Sequence, residues 1–465
     1  MGTAERSATT VTAILASVFL LGSGSALQGT AVTLRAGLEG FSELAIGTIS
    51  AGYYGGVLAG SFLALVVIRN VGYVRALAAF ASLASASSLA HVLWIDPIAW
   101  FVFRFVHGIC LSVVLVVVES WLNATAPAGK RGQVLSIYGI VYLAALGAVQ
   151  PLVSVFPPAT FSLFGITSIM ISLCILPVSL AQVSGTPQVG SIRIRVLGMF
   201  RKSPMGSVGV IVSGIITGAH LSLSPRFAQG VGMSEGAIGV YLLVFSLGTM
   251  ALQMPLGWIS DHFDRRRALL VSSSVGALAA LGLSLVTSGG LYALAMAFVF
   301  GGFAVPMYSL AVAAFNDQVS TEEMVEAAGA LYVFYGIGSV IGPVTASAMM
   351  GRLGLGALYL FAAAVLLLYM AFGLLRIRLV PTFRVRGRTA TYRTIPRTTM
   401  MAFTMLRRIT PRKKRAATSP APAAYDGFSS SPGEDAALEY RSDVYSPEVY
   451  HEDEDTSGTG PSPSG

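Results

Sequence analysis

Between residues 1 and 380 the chain is a succession of long apolar runs joined by short polar connections. Twelve runs stand out, at about 11–34, 44–68, 74–94, 98–118, 134–156, 160–180, 205–224, 237–258, 268–288, 290–315, 327–350 and 355–375. Each is close to the length, about 20 residues, that a helix needs to cross the hydrocarbon core. None alternates apolar and polar residues as a barrel strand does. A backbone in lipid must satisfy its own N–H and C=O groups, so the pattern predicts helices. The first run is too long, and too similar to the others, to be a cleaved signal peptide. The expectation is an all-α integral membrane protein with twelve transmembrane helices and a polar C-terminal tail.

Composition strengthens this reading. The chain is 54% hydrophobic and 11% charged, whereas a soluble domain carries roughly 25% charged residues. Placement of the bases then sets orientation. With a cytoplasmic N-terminus, the inside connections hold Arg6, Arg69, Arg75, Lys130, Arg131, Arg193, Arg195, Arg201, Lys202 and Arg265 to Arg267. The outside connections hold only Arg35, Arg226 and Arg352. This asymmetry follows the positive-inside rule and puts both termini in the cytoplasm. The excess of Arg over Lys and the Ala and Gly richness, a compositional association only, suggest a bacterial inner membrane. Trp94, Trp100, Trp121 and Trp258 fall near run ends, where indole rings are expected at the membrane interface.

The second half echoes the first. Pro343 follows Pro151 by 192 residues, His220 follows Gln28 by 192, and Asp264 follows Gly72 by 192. The offset suggests an N-terminal six-helix half (1–180), a cytoplasmic joint (181–204), a C-terminal six-helix half (205–378) and a cytoplasmic tail (379–465). The tail is basic first and acidic later, ending in Glu452-Asp453-Glu454-Asp455 and a polar run. Its composition predicts disorder, and its basic portion is suited to the inner leaflet.

One connection is far more charged than the others of the second half: Gly257-Trp258-Ile259-Ser260-Asp261-His262-Phe263-Asp264-Arg265-Arg266-Arg267. It resembles the cytoplasmic loop signature of the major facilitator superfamily, G-x-x-x-D-R-x-G-R-R, with Asp264 in place of the second Gly. Arg104 through Gly108 is similar to the family's R-x-x-x-G pattern in span four. Glu119 followed by Lys130-Arg131-Gly132 resembles its acidic helix end and R-G loop, and Gly338 through Pro343 is similar to its G-x-x-x-G-P element. The first-half loop departs, with Arg69 where the family has Asp and Asn70 where it has a base. The resemblance covers residues 10–378. It implies two six-helix halves around a central site, alternating access by rocking, and spans one and seven lining the cavity. It also implies a gating role for Gly257, Asp261, Arg265, Arg266, Glu119 and Arg131.

Ionisable groups inside spans are costly, about 2.5–3.5 kcal/mol at the bilayer centre on insertion scales. Arg104 lies roughly two turns into span four, either snorkelling to the outer interface or facing the cavity as a cation for an anionic substrate group. His107 follows one turn later on the same face and suits either titration near neutral pH or a helix–helix hydrogen bond. Gln28 in span one and His220 in span seven are opposite numbers by the repeat, each a cavity residue or a link to a neighbouring helix. Glu119 reads as a gate ion pair with a loop base, or as a proton site. Span one carries no buried carboxylate of the kind many proton-coupled exporters have, so proton coupling stays open.

Gly52, Gly56 and Gly60 in span two, and Gly338 and Gly342 with Pro343 in span eleven, form flat strips for close helix packing. Placed on inter-half neighbours, they would suit a sliding surface. Pro151, Pro177, Pro225, Pro255, Pro306 and Pro343 are expected to kink or break their helices. Metal-ligand clusters, phosphate-binding Gly-Lys loops and nucleophile elbows are absent from the sequence, so no metal, cofactor, nucleic-acid partner or enzymatic activity is expected. The functional expectation is a monomeric secondary transporter for a small anionic or neutral solute. A proton-coupled drug or metabolite exporter is one alternative. A non-transporting receptor or scaffold is the other.

Overall fold

A computed structural model describes residues 3–126, 131–180, 196–320 and 323–379. Most of the joint and the whole tail from residue 380 lie outside the described residues, as does the side chain of Arg131. Among the described residues are twelve helices long and apolar enough to cross a membrane: α1 Thr9–Leu38, α2 Glu43–Val71, α3 Tyr73–Leu93, α4 Pro97–Asn123, α5 Gly132–Ser154, α6 Ser162–Ser179, α7 Pro204–Gly230, α8 Glu235–His262, α9 Arg265–Ser284, α10 Leu291–Asn316, α11 Glu326–Leu353 and α12 Ala357–Leu379. A short helix, Val196–Lys202, precedes α7.

The starts of these helices are written in local chemistry. Ser42 caps α2 by accepting from the Ala45 amide at 3.2 Å, and Ser234 caps α8 by accepting from the Ala237 amide at 3.3 Å. Each serine satisfies a helix-terminal N–H that has no intrahelical partner. Two residues upstream, Gly40 and Gly232 take φ of +74° and +79°, which a side chain would resist. These pairs are separated by the same 192 residues as the sequence landmarks. The landmark pair Gly72 and Asp264 also falls at helix junctions, though with different chemistry. Gly72, at φ +79°, joins α2 to α3, while Asp264 caps α9 by accepting from the Arg266 amide at 2.8 Å.

The prolines act unequally. Pro151 turns the end of α5 into a 3-10 segment, Gln150–Ser154, and Pro306 separates the two stretches of α10, Leu291–Ala304 and Met307–Asn316. Pro225, Pro255 and Pro343 sit inside continuous helices. The tryptophans also divide. Trp94 and Trp258 are exposed, as interface residues should be, but Trp100 and Trp121 are buried. The Trp100 indole donates to the Trp94 carbonyl at 2.7 Å, and Trp121 stacks on Tyr73 at 5.8 Å. Internal hydrogen bonding and stacking thus hold two of the four away from the lipid.

The glycine strips correct another expectation. A Cβ on Gly56 would lie 2.0 Å from the Phe105 carbonyl oxygen of α4, in the same half. Added carbons on Gly338 and Gly342 would each lie 2.2 Å from α7 carbonyls, those of Ile211 and Ile215. The strips therefore weld helices within each half and are not the sliding surface between halves.

The seam between halves uses other residues. A Cβ on Gly47 of α2 would meet Ser347 Oγ at 2.0 Å and the Pro343 carbonyl oxygen of α11 at 2.5 Å. At the repeat-related position, one on Gly239 of α8 would meet the Gln150 carbonyl oxygen at 2.8 Å and Pro151 Cα of α5 at 2.9 Å. Thr33 of α1 donates to the Ser222 carbonyl of α7 at 2.9 Å, and Gln229 donates to the Leu34 carbonyl at 3.2 Å. Arg226 pairs with Glu43 at 2.8 Å. All of these contacts lie toward one end of the bundle, the end bearing Gly40 and Gly232.

Candidate functional site

Below that sealed end the halves part around a central cavity of about 430 Å³. Helices from both halves border it, through Thr30, Tyr53 and Arg104 on one side and His220, Phe245 and Tyr335 on the other. Toward the opposite end, which carries Asp261, the walls continue through Leu115, Ser136, Gln253 and Met254. A space of this size holds a drug-sized molecule.

Arg104 dominates one wall. The helix start that carries it is firmly set: Asp96 accepts from the Ile98 and Ala99 amides at 2.9 Å, with Pro97 at the first position. The side chain is 6% exposed and borders the cavity. Its guanidinium lies over the Tyr53 ring at 4.4 Å, and Nη1 donates a long hydrogen bond of 3.5 Å to Gln28 Oε1. Among the described residues no carboxylate reaches ion-pair distance of it. Arg104 Nε and Gln28 Nε2 have no protein partner. The guanidinium is thus buried, supported by a ring beneath it, and without a counter-ion among the described residues.

Gln28 and His107 stand behind this wall. Both are fully buried, and neither borders the cavity. His107 Nδ1 is 3.4 Å from the Ala84 carbonyl oxygen and 3.3 Å from Ser87 Oγ, while Nε2 is 3.3 Å from Ser25 Oγ. The carbonyl can only accept, so Nδ1 carries the proton and Nε2 accepts from Ser25. His107 ties α3, α4 and α1 together, and Gln28 orients Arg104.

His220 of α7 does border the cavity. Its ring stacks on Phe245 at 3.8 Å, and Nδ1 is 3.3 Å from the Tyr359 hydroxyl. Gln28 and His220, opposite numbers in the repeat, are thus placed differently: one supports the wall, the other forms it. Glu119 is buried away from the cavity and accepts from the Tyr138 hydroxyl at 2.6 Å.

The charged loop forms a cluster within the C-terminal half. Arg265, only 7% exposed, reaches Asp261 at 3.0 Å and Asp317 of the α10 end at 3.1 Å. Gly257 is buried in the last turns of α8, and Arg266 is half-buried beside the cluster. Asp317 escaped the sequence reading because it lies 52 residues from Arg265. The cavity tyrosines escaped it as well. Tyr53 and Tyr54 are embedded in Gly52-Tyr53-Tyr54-Gly55-Gly56, where the glycine strip is the more conspicuous pattern, although paired hydroxylated rings inside a span are themselves a signal. Gln150, which accepts from Thr30 at 2.8 Å on the cavity wall, had the marker of the neighbouring Pro151.

The profile of the Major Facilitator Superfamily matches residues 206–411. The chain is 29% identical over 361 residues to the uncharacterised MFS-type transporter YcaD of Escherichia coli O6:K15:H31, covering 77% of this chain and 93% of that one. It is 27% identical over 360 residues to an uncharacterised MFS-type transporter of Yersinia enterocolitica, with the same coverage. Among solved structures, the nucleoside transporter NupG superimposes with a TM-score of 0.66 at 12% identity, covering 80% of this chain and 99% of NupG. A bacterial homologue of the human lysosomal transporter Spinster, solved inward-facing and unoccupied, gives 0.65 at 15% identity, covering 79% and 97%. At these identities the two structures speak for the fold alone.

Proposed function

The chain belongs to the major facilitator superfamily and is a multi-pass membrane secondary transporter rather than an enzyme, and on that premise we propose that its solute is a small organic anion whose charged group docks on Arg104. The observation that carries this reading is the buried guanidinium on the cavity wall with no carboxylate beside it among the described residues. Tyr53 beneath and Gln28 behind fix its plane, so its remaining donors suit a carboxylate or phosphate. The rest of the wall is largely apolar and aromatic, which suits an anion with an apolar body.

The sealed end is read as the outer one, because the bases concentrate on the opposite side. In this state the cavity then faces the cytoplasm, and transport requires the Gly47 and Gly239 contacts to part while the Asp261 end closes. Cationic drugs fit this wall poorly, since an unpaired guanidinium repels them and no carboxylate of the described residues, Glu119 included, borders the cavity.

The test is uptake into proteoliposomes. Labelled monocarboxylates and organophosphates would be compared with a neutral nucleoside and tetraphenylphosphonium, using wild type and Arg104→Gln. Anion flux lost in the variant supports the assignment. Tetraphenylphosphonium flux driven by a pH gradient and indifferent to Arg104 overturns it in favour of a proton-coupled exporter.

A further inference from the structure

The second anchor of the cavity lies opposite Arg104 and follows from where the hydrogen bonds around it leave a donor unpaired. His220 is 2% exposed and held in an aromatic box, stacked on Phe245 with Phe300 at 5.4 Å and Tyr359 at 5.9 Å between ring centroids. The Tyr359 hydroxyl touches both His220 Nδ1, at 3.3 Å, and the Tyr241 hydroxyl. Both tyrosines are fully buried, and among the described residues no other hydrogen bond to the Tyr241 hydroxyl is found. The chain Tyr241, Tyr359, His220 therefore has two orientations.

If Tyr359 donated to Tyr241, the donor left unpaired would be the Tyr241 hydroxyl, which is buried and does not border the cavity. If Tyr241 donates to Tyr359, and Tyr359 to His220 Nδ1, both hydroxyl protons are satisfied and the one unpaired donor moves to a residue on the cavity wall, where a solute can accept from it. The second orientation puts the ring proton of a neutral His220 on Nε2. That nitrogen has no protein partner, although the residue borders the cavity. A buried N–H beside a ligand space calls for an acceptor on the ligand.

We infer that His220 is a specificity-determining donor: its Nε2–H, fixed by the Tyr241–Tyr359 relay, binds a neutral acceptor such as a carbonyl or ether oxygen on the solute. Resting on the anion reading at Arg104, this narrows the substrate class to small organic anions carrying a second, uncharged hydrogen-bond acceptor. The relay supplies what position alone does not, since a histidine with its proton on Nδ1 would present an acceptor and select solutes bearing a donor.

Two measurements test it. The first is 15N NMR of histidine-labelled full-length protein in nanodiscs at neutral pH, with His220 assigned by its loss in His220→Gln. The expected result is a neutral ring protonated at Nε2, with an Nδ1 resonance that shifts in Tyr359→Phe. A proton on Nδ1, or a charged ring, overturns the inference without touching the Arg104 reading. The second is thermal stabilisation by benzoate and by its 2-, 3- and 4-acetyl derivatives. At least one acetyl isomer should bind about tenfold tighter than benzoate in wild type, the weight of one hydrogen bond. That ratio should collapse toward one in His220→Phe and recover in His220→Gln, which keeps an N–H donor. Arg104-dependent binding of all four with equal affinity overturns the role of His220 alone. No stabilisation by any of them overturns the anion reading and the paired anchors with it.

Discussion

Replacing Gly47 with alanine should prise open the sealed end of the cavity. The added Cβ would lie 2.0 Å from Ser347 Oγ, 2.4 Å from Ser347 Cβ and 2.5 Å from the Pro343 carbonyl oxygen. The serine hydroxyl can rotate aside, but the carbonyl is backbone, so α2 and α11 must separate. Overpacking of this kind costs about 1–3 kcal/mol. The cost falls only on the state in which these helices touch, so the equilibrium between states shifts by a factor of about 5–150. Gly239→Ala, with its nearest contacts at 2.8 and 2.9 Å, should act in the same direction and more weakly. The assay is labelling of a reporter, Ser222→Cys, by a membrane-impermeant thiol reagent added outside; the native Cys110 and Cys174 are buried. Ser222 borders the cavity next to the seam. Labelling should accelerate in Gly47→Ala while reaction from the inside slows. Unchanged rates from both sides, in a protein of unchanged melting temperature, would refute the idea that this approach seals the end.

Other perturbations read different parts of the account. Tyr53→Leu removes the ring under Arg104 and should weaken anion binding by roughly 0.5–2 kcal/mol in thermal-shift titrations, whereas Tyr53→Phe should retain it. Asp317→Asn takes one of two carboxylates from the nearly buried Arg265 and should destabilise by about 1–3 kcal/mol in detergent unfolding, more than loss of the α9 cap in Asp264→Ala, about 1 kcal/mol. Glu43→Gln breaks the Arg226 pair across the seam and should raise outside labelling of the same Ser222→Cys reporter. The Lys202 hydrogen bond holds the exposed Glu323 carboxyl below its ordinary value. A depressed carboxylate stabilises above the unfolded-state value and loses that contribution as pH falls through the folded one. The melting difference between wild type and Glu323→Gln should therefore be present at neutral pH and vanish in acid below the ordinary carboxylate range.

Much of the architecture was legible because lipid leaves so few options. Apolar length gave the twelve helices, and the 192-residue offset read from the prolines recurs in the caps Ser42 and Ser234. Local rules misplaced residues wherever long-range packing decided the outcome. Gly56 and Gly338 signalled close approach, but only the fold could say that the neighbour was α4 or α7 rather than the other half. Arg104 and His107 share a helical face by spacing, yet the wall passes between them. Arg104 is long enough to reach the cavity, and His107 is captured by Ser25 and the Ala84 carbonyl. Trp100 looked interfacial by position but is enclosed by Phe41 and His91. The relay that gives His220 its meaning joins residues 220, 241 and 359, a connection no local pattern contains.

The central claim is that an uncompensated guanidinium makes this cavity an anion site. Its most direct test is thermal stabilisation of the purified protein by a panel of small carboxylates, phosphate esters, neutral solutes and lipophilic cations, run on wild type and Arg104→Gln. The account predicts stabilisation by anions in wild type that disappears in a folded Arg104→Gln variant. Stabilisation by lipophilic cations, equal in both proteins, would contradict it.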